Sequence, residues 1–234
     1  MSEAVIEFSN VVKRLGGSTV LDGLSFSVGK GEIFSIIGPS GTGKSVTLKH
    51  MVGLMEPDSG EVRTTTDKIG YLFQSGALLA WMTVYENVAL PLVETTRLGD
   101  DEIDAKVMDA LRAVGLEDAA DKYPAEISGG MQKRAGLARA VVCEAEAILY
   151  DEPTSGLDPV TSASIMRLIR DLRDRRGVTS VVVTHDLAAA LKTSDRILLL
   201  KDGRAVLCAP PAEFTASRDP YVAEFVHAMN GSGL

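Results

Sequence analysis

Hydrophobic and polar positions along the chain change period several times, and each change marks an element. Near the start, apolar residues (Val5, Ile6, Phe8, Val11, Val12) mix with polar ones in a β-branched stretch. Gly16-Gly17 follows, and Leu24 to Val28 turns apolar again. That pattern predicts a small antiparallel sheet with turns. Ile33-Phe34-Ser35-Ile36-Ile37 is a short continuous apolar run stopping at Gly38, as expected of a buried parallel strand. Lys44 to Leu54 reads as a helix closed by the turn Glu56-Pro57-Asp58-Ser59-Gly60. Ile69 to Phe73 is strand-like and ends at Gln74.

From about residue 75 to 143 the texture becomes mostly helical. Ile103, Val107, Leu111 and Val114 recur at helical spacing within Leu98 to Val114, with Gly115 as the stop, and Met131 to Val142 reads as a further helix. Three apolar runs follow, Ala147 to Tyr150, Val181 to Val183 and Ile197 to Leu200. Helical stretches at Pro159–Arg176 and Asp186–Thr193 separate them, and Asn230 to Leu234 reads as a loose tail. Strands alternating with helices predict a parallel sheet covered on both faces, an α/β fold. The expectation is one domain over residues 1–234, with a helical subdomain at about 75–143.

Composition narrows the function classes. The chain has 234 residues, 45% hydrophobic and 24% charged, enough apolar material for a core. A net charge of −8 offers no basic face for nucleic acid, so no nucleic-acid partner is expected. Cys143 and Cys208 lie far apart, without metal spacing, and read as thiols in a reducing cytoplasm. The N-terminus has no basic region before a long apolar stretch, so no secretory leader is expected. Nor does any apolar run approach the ~20 residues of a spanning helix. A membrane role would therefore run through a partner.

The chemistry begins at Gly38-Pro39-Ser40-Gly41-Thr42-Gly43-Lys44-Ser45, which fits G-x-x-x-x-G-K-[ST] between a buried strand and a helix. Glycines let such a loop turn successive N–H groups toward phosphate oxygens, and the following helix adds its positive end. Lys44 is placed to reach the β- and γ-phosphates of a nucleoside triphosphate and Ser45 to bind Mg2+. Asp151-Glu152 ends an apolar strand. In such a chain the first acid would hold Mg2+ and the second would orient or deprotonate the attacking water. His185 ends another strand. A lone histidine there is usually a capping or core residue, but ligands of α/β sheets gather at the carboxyl ends of strands, where Gln74 also falls.

Ile127-Ser128-Gly129-Gly130-Met131-Gln132 resembles the signature motif of ABC ATPases. The other motifs of that family follow in order. Gln74 matches its Q-loop, Asp151 and Glu152 its Walker B pair, Ser155-Gly156-Leu157-Asp158 its D-loop and His185 its switch histidine, over about Phe8 to Val206. The resemblance implies a P-loop NTPase core, a mainly parallel sheet with helices on both faces. A small N-terminal antiparallel β subdomain and an inserted helical subdomain carrying the signature would complete it. It implies ATP and Mg2+ as cofactors. The nucleotide would be held by the loop 38–45 together with Ser128, Gly129, Gly130 and Asp158. Ser45, Gln74 and Asp151 would serve the metal, and Glu152, His185 and Gln74 the hydrolysis.

It also implies partners. A second copy would complete two ATP sites, and an integral permease would hold the protein at the inner face of the cell membrane, on the cytoplasmic side. Phe73-Gln74-Ser75-Gly76-Ala77-Leu78, the run Met82 to Val88, and Ser128 to Ala135 with Met131 where glutamine is usual are similar to Mla-type ATPases. Those work with a permease and MCE-domain proteins on lipid cargo. An importer ATPase for another solute, or a soluble iron–sulfur-assembly ATPase, are the alternatives. At the position where an aromatic ring commonly stacks on adenine this chain has Leu15, which implies loose nucleotide selectivity.

Overall fold

The computed structural model describes residues 3–231. In chain order, strands β1 (Ala4–Leu15), β2 (Ser18–Gly29) and β3 (Ile33–Ile37) precede helix α1 (Lys44–Met51) and strands β4 (Ser59–Thr64) and β5 (Ile69–Leu72). Helices α2 (Val84–Thr95), α3 (Asp100–Ala113) and α4 (Gly129–Val141) lead to β6 (Ala147–Asp151) and α5 (Pro159–Arg176). Then come β7 (Thr179–Val183), α6 (Leu187–Thr193), β8 (Arg196–Lys201), β9 (Arg204–Ala209), α7 (Pro211–Thr215) and α8 (Pro220–Gly231). Contacts divide the chain into two units: Met1–Asp67 with Leu172–Leu234, and Lys68–Asp171.

The first unit holds two sheets. β1, β2 and β4 form an antiparallel sheet in the order β2-β1-β4. All five residues of β3 are buried, and the strand pairs parallel with β7 on one side and β8 on the other. A strand with neighbours on both edges and covered faces has no polar position to spare, which explains its continuous apolar run. Phe8 stacks on Phe26 at 4.6 Å and Phe26 on Phe34 at 5.4 Å, so three rings join the antiparallel sheet to β3. Below β3 and β8, Ile37, Ile197 and Leu199 pack with Leu187 of α6, Phe214 of α7 and Val222 of α8.

Three local expectations change here. Helix α1 stops at Met51 rather than Leu54, because Gly53 turns left-handed at φ 68°, and Ser59-Gly60 open strand β4 instead of closing a turn. β9 runs antiparallel to β8 across Asp202-Gly203, at φ 48° and 76°, a two-residue hairpin of the Asp-Gly kind. The tail expected from Asn230 is helical through Gly231, and residues 232–234 lie outside the described residues.

The second unit pairs β5 parallel with β6, Leu72 opposite Tyr150, and surrounds them with helices. α2 opens on a capping box, in which Thr83 Oγ accepts from Glu86 N and the Glu86 carboxylate accepts from Thr83 N at 2.7 Å. Pro91 lies inside that helix. α4 opens two residues earlier than Met131, with Ser128 as its N-cap accepting from Met131 N at 3.3 Å. α5 spans Pro159–Arg176, with Ile165, Met166 and Ile169 as its buried stripe. Among the described residues no helix is long and apolar enough to cross a membrane.

Candidate functional site

In the first unit the loop 38–45 leaves the carboxyl end of β3 and enters α1. Gly38 has φ 151°, and a Cβ there would lie 2.2 Å from the Leu200 carbonyl oxygen. At Gly43, φ 99°, a Cβ would lie 2.8 Å from Leu21 Cδ2. Both positions are therefore closed to side chains on the protein side. Gly41 has nothing within 4 Å of where its Cβ would be, so the loop is open on its other side. Lys44 is buried and arches back over the loop, its Nζ donating to the carbonyls of Gly38 at 2.8 Å and Pro39 at 2.9 Å. Thr42 Oγ donates to Pro39 O at 2.9 Å, and Ser45 is exposed on the first turn of α1.

A loop packed shut behind, open in front, carrying one ammonium and leading into a helix N-terminus fits a triphosphate. The exposed Ser45 hydroxyl fits a magnesium ligand. His185 belongs to the same unit. It is exposed just past the end of β7, which pairs with β3 through Val183 opposite Ile36. The loop and His185 thus leave the carboxyl ends of adjacent parallel strands. Thr184 N donates to Ile36 O at 3.1 Å, and Asp186 caps α6 by accepting from Ala189 N at 2.9 Å, which fixes the backbone on both sides of His185.

The second unit gathers the remaining residues. Gln74 lies two residues past β5 and Glu152 one past β6, again at neighbouring parallel strand ends. Gln74 Nε2 donates to Ser155 Oγ at 3.4 Å, and the Tyr71 hydroxyl donates to Asp151 Oδ2 at 3.4 Å. Burial, and then the nearby Asp151 charge, push the Tyr71 hydroxyl well above its ordinary value, so it stays a donor. Glu152 has φ 49°, a left-handed conformation costing a non-glycine residue about 1–3 kcal/mol. Ser155 N closes the turn onto Glu152 O at 3.2 Å.

Asp158 caps α5, accepting from Val160 N at 2.9 Å and Thr161 N at 3.0 Å. Those bonds, the Thr161 hydroxyl's first, hold its carboxyl below the ordinary range. Ser128 and Gly129 are exposed at the start of α4. Gly130 is buried, and a Cβ on it would meet Thr161 Cγ2 at 2.6 Å. The start of α4, the 152–158 turn and Gln74 are therefore one local assembly.

That assembly depends on residues that sequence patterns did not single out. Lys133, buried on α4, donates to the carbonyls of Glu152, at 3.3 Å, and of Ser155. Arg139, also on α4, donates to Gly76 O at 2.9 Å and Ala77 O at 2.8 Å, just past Gln74. Asn87, fully buried on α2, accepts from Leu79 N at 2.7 Å and donates to the carbonyls of Leu79, Met82 and Thr83. Only the burial of Asn87 could have been suspected from the chain, because Val84, Val88 and Leu92 place it on the same helix face.

Residues 21–155 match the family described as ABC transporter. The chain is 38% identical over 240 residues to the intermembrane phospholipid transport system ATP-binding protein MlaF of Escherichia coli K12, covering 96% of this chain and 89% of that one. It is 39% identical over 240 residues to the "Probable ribonucleotide transport ATP-binding protein mkl" of Mycobacterium tuberculosis H37Rv, covering 95% of this chain. The match spans 66% of the length of mkl. Among solved structures, the dimeric ATP-binding cassette MJ0796, in a post-hydrolysis state bound to ADP and Pi, superposes with a TM-score of 0.81. It is 34% identical, over 88% of this chain and 98% of that one. Cassettes of this kind bind ATP with Mg2+. The chain belongs to the ABC transporter family, as an ATP-binding subunit and an ATPase.

Proposed function

We propose that two copies of this chain close around two ATP molecules and drive a membrane permease that moves phospholipid or a related lipid between membranes. ABC cassettes dimerise and work with membrane permeases, and the finer assignments here are residue by residue. The loop 38–45 takes the phosphates, with Lys44 on the β- and γ-groups. Ser45, Asp151 and Gln74 serve the metal. Ser128, Gly129 and Gly130, with the positive end of α4 behind them, face the γ-phosphate held by the other copy, beside Asp158. Glu152 activates water and His185 holds the transferred group. The protein sits on the cytoplasmic side of the cell membrane through its permease, and an MCE-domain protein completes the system. As one domain over 1–234, the chain carries its docking surface in the helical part at about 75–143.

The lipid reading rests on one observation. The stretch after Gln74 and Met131 in the signature resemble Mla-type ATPases, and the match to MlaF spans 89% of that relative, whereas the match to mkl spans 66%. The test is to tag the protein in its own host, solubilise the membranes gently and identify what co-purifies. A permease with an MCE-domain protein and bound phospholipid is the expected result. A permease with a different solute-binding protein would keep the transporter and discard the lipid, the outcome that the name of mkl points toward. Recovery from the cytosol with soluble assembly factors would remove transport altogether.

A further inference from the structure

We infer that Lys133 is a positioning residue for ATP hydrolysis: from the signature helix it holds the Glu152–Ser155 turn in the shape that aims the Glu152 carboxylate. The inference rests on the reading of Glu152 as the base.

Three observations carry it. Glu152 is one of five described non-glycine residues at positive φ, at 49°, and such a conformation persists only where its surroundings over-determine it. The turn closes on itself by one bond, Ser155 N to Glu152 O at 3.2 Å, at the upper end of the ordinary range. Lys133 Nζ adds a constraint from outside the turn by bonding to the carbonyls at both its ends, Glu152 O at 3.3 Å and Ser155 O. An ammonium with only 6% of its residue's surface exposed is otherwise an expense in a fold, and two carbonyls that accept from it explain its place there. Burial draws its pKa down and the Glu152 charge counters that, so the two groups also sense each other electrostatically.

The same helix grips the neighbouring loop. Arg139 holds Gly76 O and Ala77 O, and a Cβ on Gly76 would lie 2.9 Å from the Gln132 carbonyl. α4 therefore begins with Ser128-Gly129-Gly130 and is tied along its length to the loops that carry Gln74 and Glu152. A displacement of its N-terminus is passed to both. Lys133 is the tie that reaches the residue doing the chemistry, and it touches neither nucleotide nor water in this role.

The experiment is steady-state ATP hydrolysis by the complex isolated from its own host, for Lys133→Met, Lys133→Arg, Glu152→Gln and the double variant. Misplacing a catalytic group costs rate rather than binding, so K133M is expected to lower kcat at least about tenfold with KM for ATP within about twofold. K133R can still donate to both carbonyls and is expected to recover most of kcat. Adding K133M to E152Q is expected to lower the residual rate no further, because the aimed carboxylate is already gone. A K133M kcat near wild type, with E152Q inactive, overturns the inference alone. So does equal loss in K133M and K133R with a lowered melting temperature, which is the mark of a packing role. If K133M does not fold, Lys133→Gln is judged by the same criteria. E152Q turning over at the wild-type rate removes the base reading and the inference together.

Discussion

The two units hold their candidate residues by different means. In Met1–Asp67 with Leu172–Leu234, the main chain does most of it. Strand ends, two glycines closed against Leu200 and Leu21, and a helix N-terminus set the loop 38–45, and Lys44 ties back onto that loop's own carbonyls. In Lys68–Asp171, long side chains from elsewhere hold the loops by their carbonyls: Lys133 on the 152–155 turn, Arg139 on 76–77, Asn87 on 79–83. Main-chain construction tolerates side-chain change except at the reacting group. Side-chain construction spreads function over residues that touch no ligand.

Lys44→Ala should have the largest effect, lowering turnover about 100-fold or more by removing the charge on the transferred phosphoryl group. ATP should then no longer raise the melting temperature, as a ligand bound to the native state otherwise does. Unaltered turnover and an unaltered ATP-dependent shift would contradict the loop's assignment. Asn87→Ala should follow, costing about 2–3 kcal/mol in denaturant unfolding, because a fully buried amide serves four main-chain groups. A loss below about 0.5 kcal/mol, within the range of an ordinary surface change, would erase the contrast between the units.

A smaller effect concerns pH. His50 is buried in the first unit, with its Nδ1 on Val46 O at 2.7 Å. Burial holds its pKa below the ordinary value. Lys13 adds to the lowering, and Asp58 and the main chain oppose it. A folded pKa below the unfolded one means that the unfolded chain takes up the proton first as pH falls. The stability involved is complete above about pH 6.5 and is lost below it until the folded pKa is passed. His50→Gln should flatten the fall in unfolding free energy between pH 7 and 5, and an unchanged slope would remove His50 as its source. Smallest is Leu15, 41% exposed at the end of β1. Wild type should turn over ATP and GTP comparably, and Leu15→Tyr should strengthen ATP binding by about 1 kcal/mol through ring stacking. A strong wild-type preference for ATP would sink that reading.

The same contrast explains what could be read from the chain. The loop 38–45, β3, α5 and the paired acids are written in contiguous spacing, and the sequence pattern bounds α5 at Pro159–Arg176 as the structure has it. β9 escapes the pattern although Asp202-Gly203 is a hairpin signal, since the strand after it is short and, past Arg204, apolar without alternation. α2 was not separated from its surroundings, because Pro91 weakens a helical reading that the Thr83–Glu86 box supports. The roles of Lys133 and Arg139 have no local signature at all. Each depends on a turn 19 to 63 residues away coming to rest against α4.

The pairing of β3 between β7 and β8 has a consequence for synthesis. β3 leaves the ribosome early, but its paired residues in β7 and β8 are encoded 147 and 162 residues later. At typical elongation rates of about 5–20 residues per second that is a wait of roughly 7–30 s. During it, the strand Ile33-Phe34-Ser35-Ile36-Ile37, fully buried in the finished protein, has neither partner. Lys68–Asp171, by contrast, is one uninterrupted segment that can assemble as soon as it emerges. The nascent chain therefore carries a sticky, unpaired strand while its middle segment folds, and the step most exposed to aggregation or to chaperone capture is the return of residues 179–201 to close on β3.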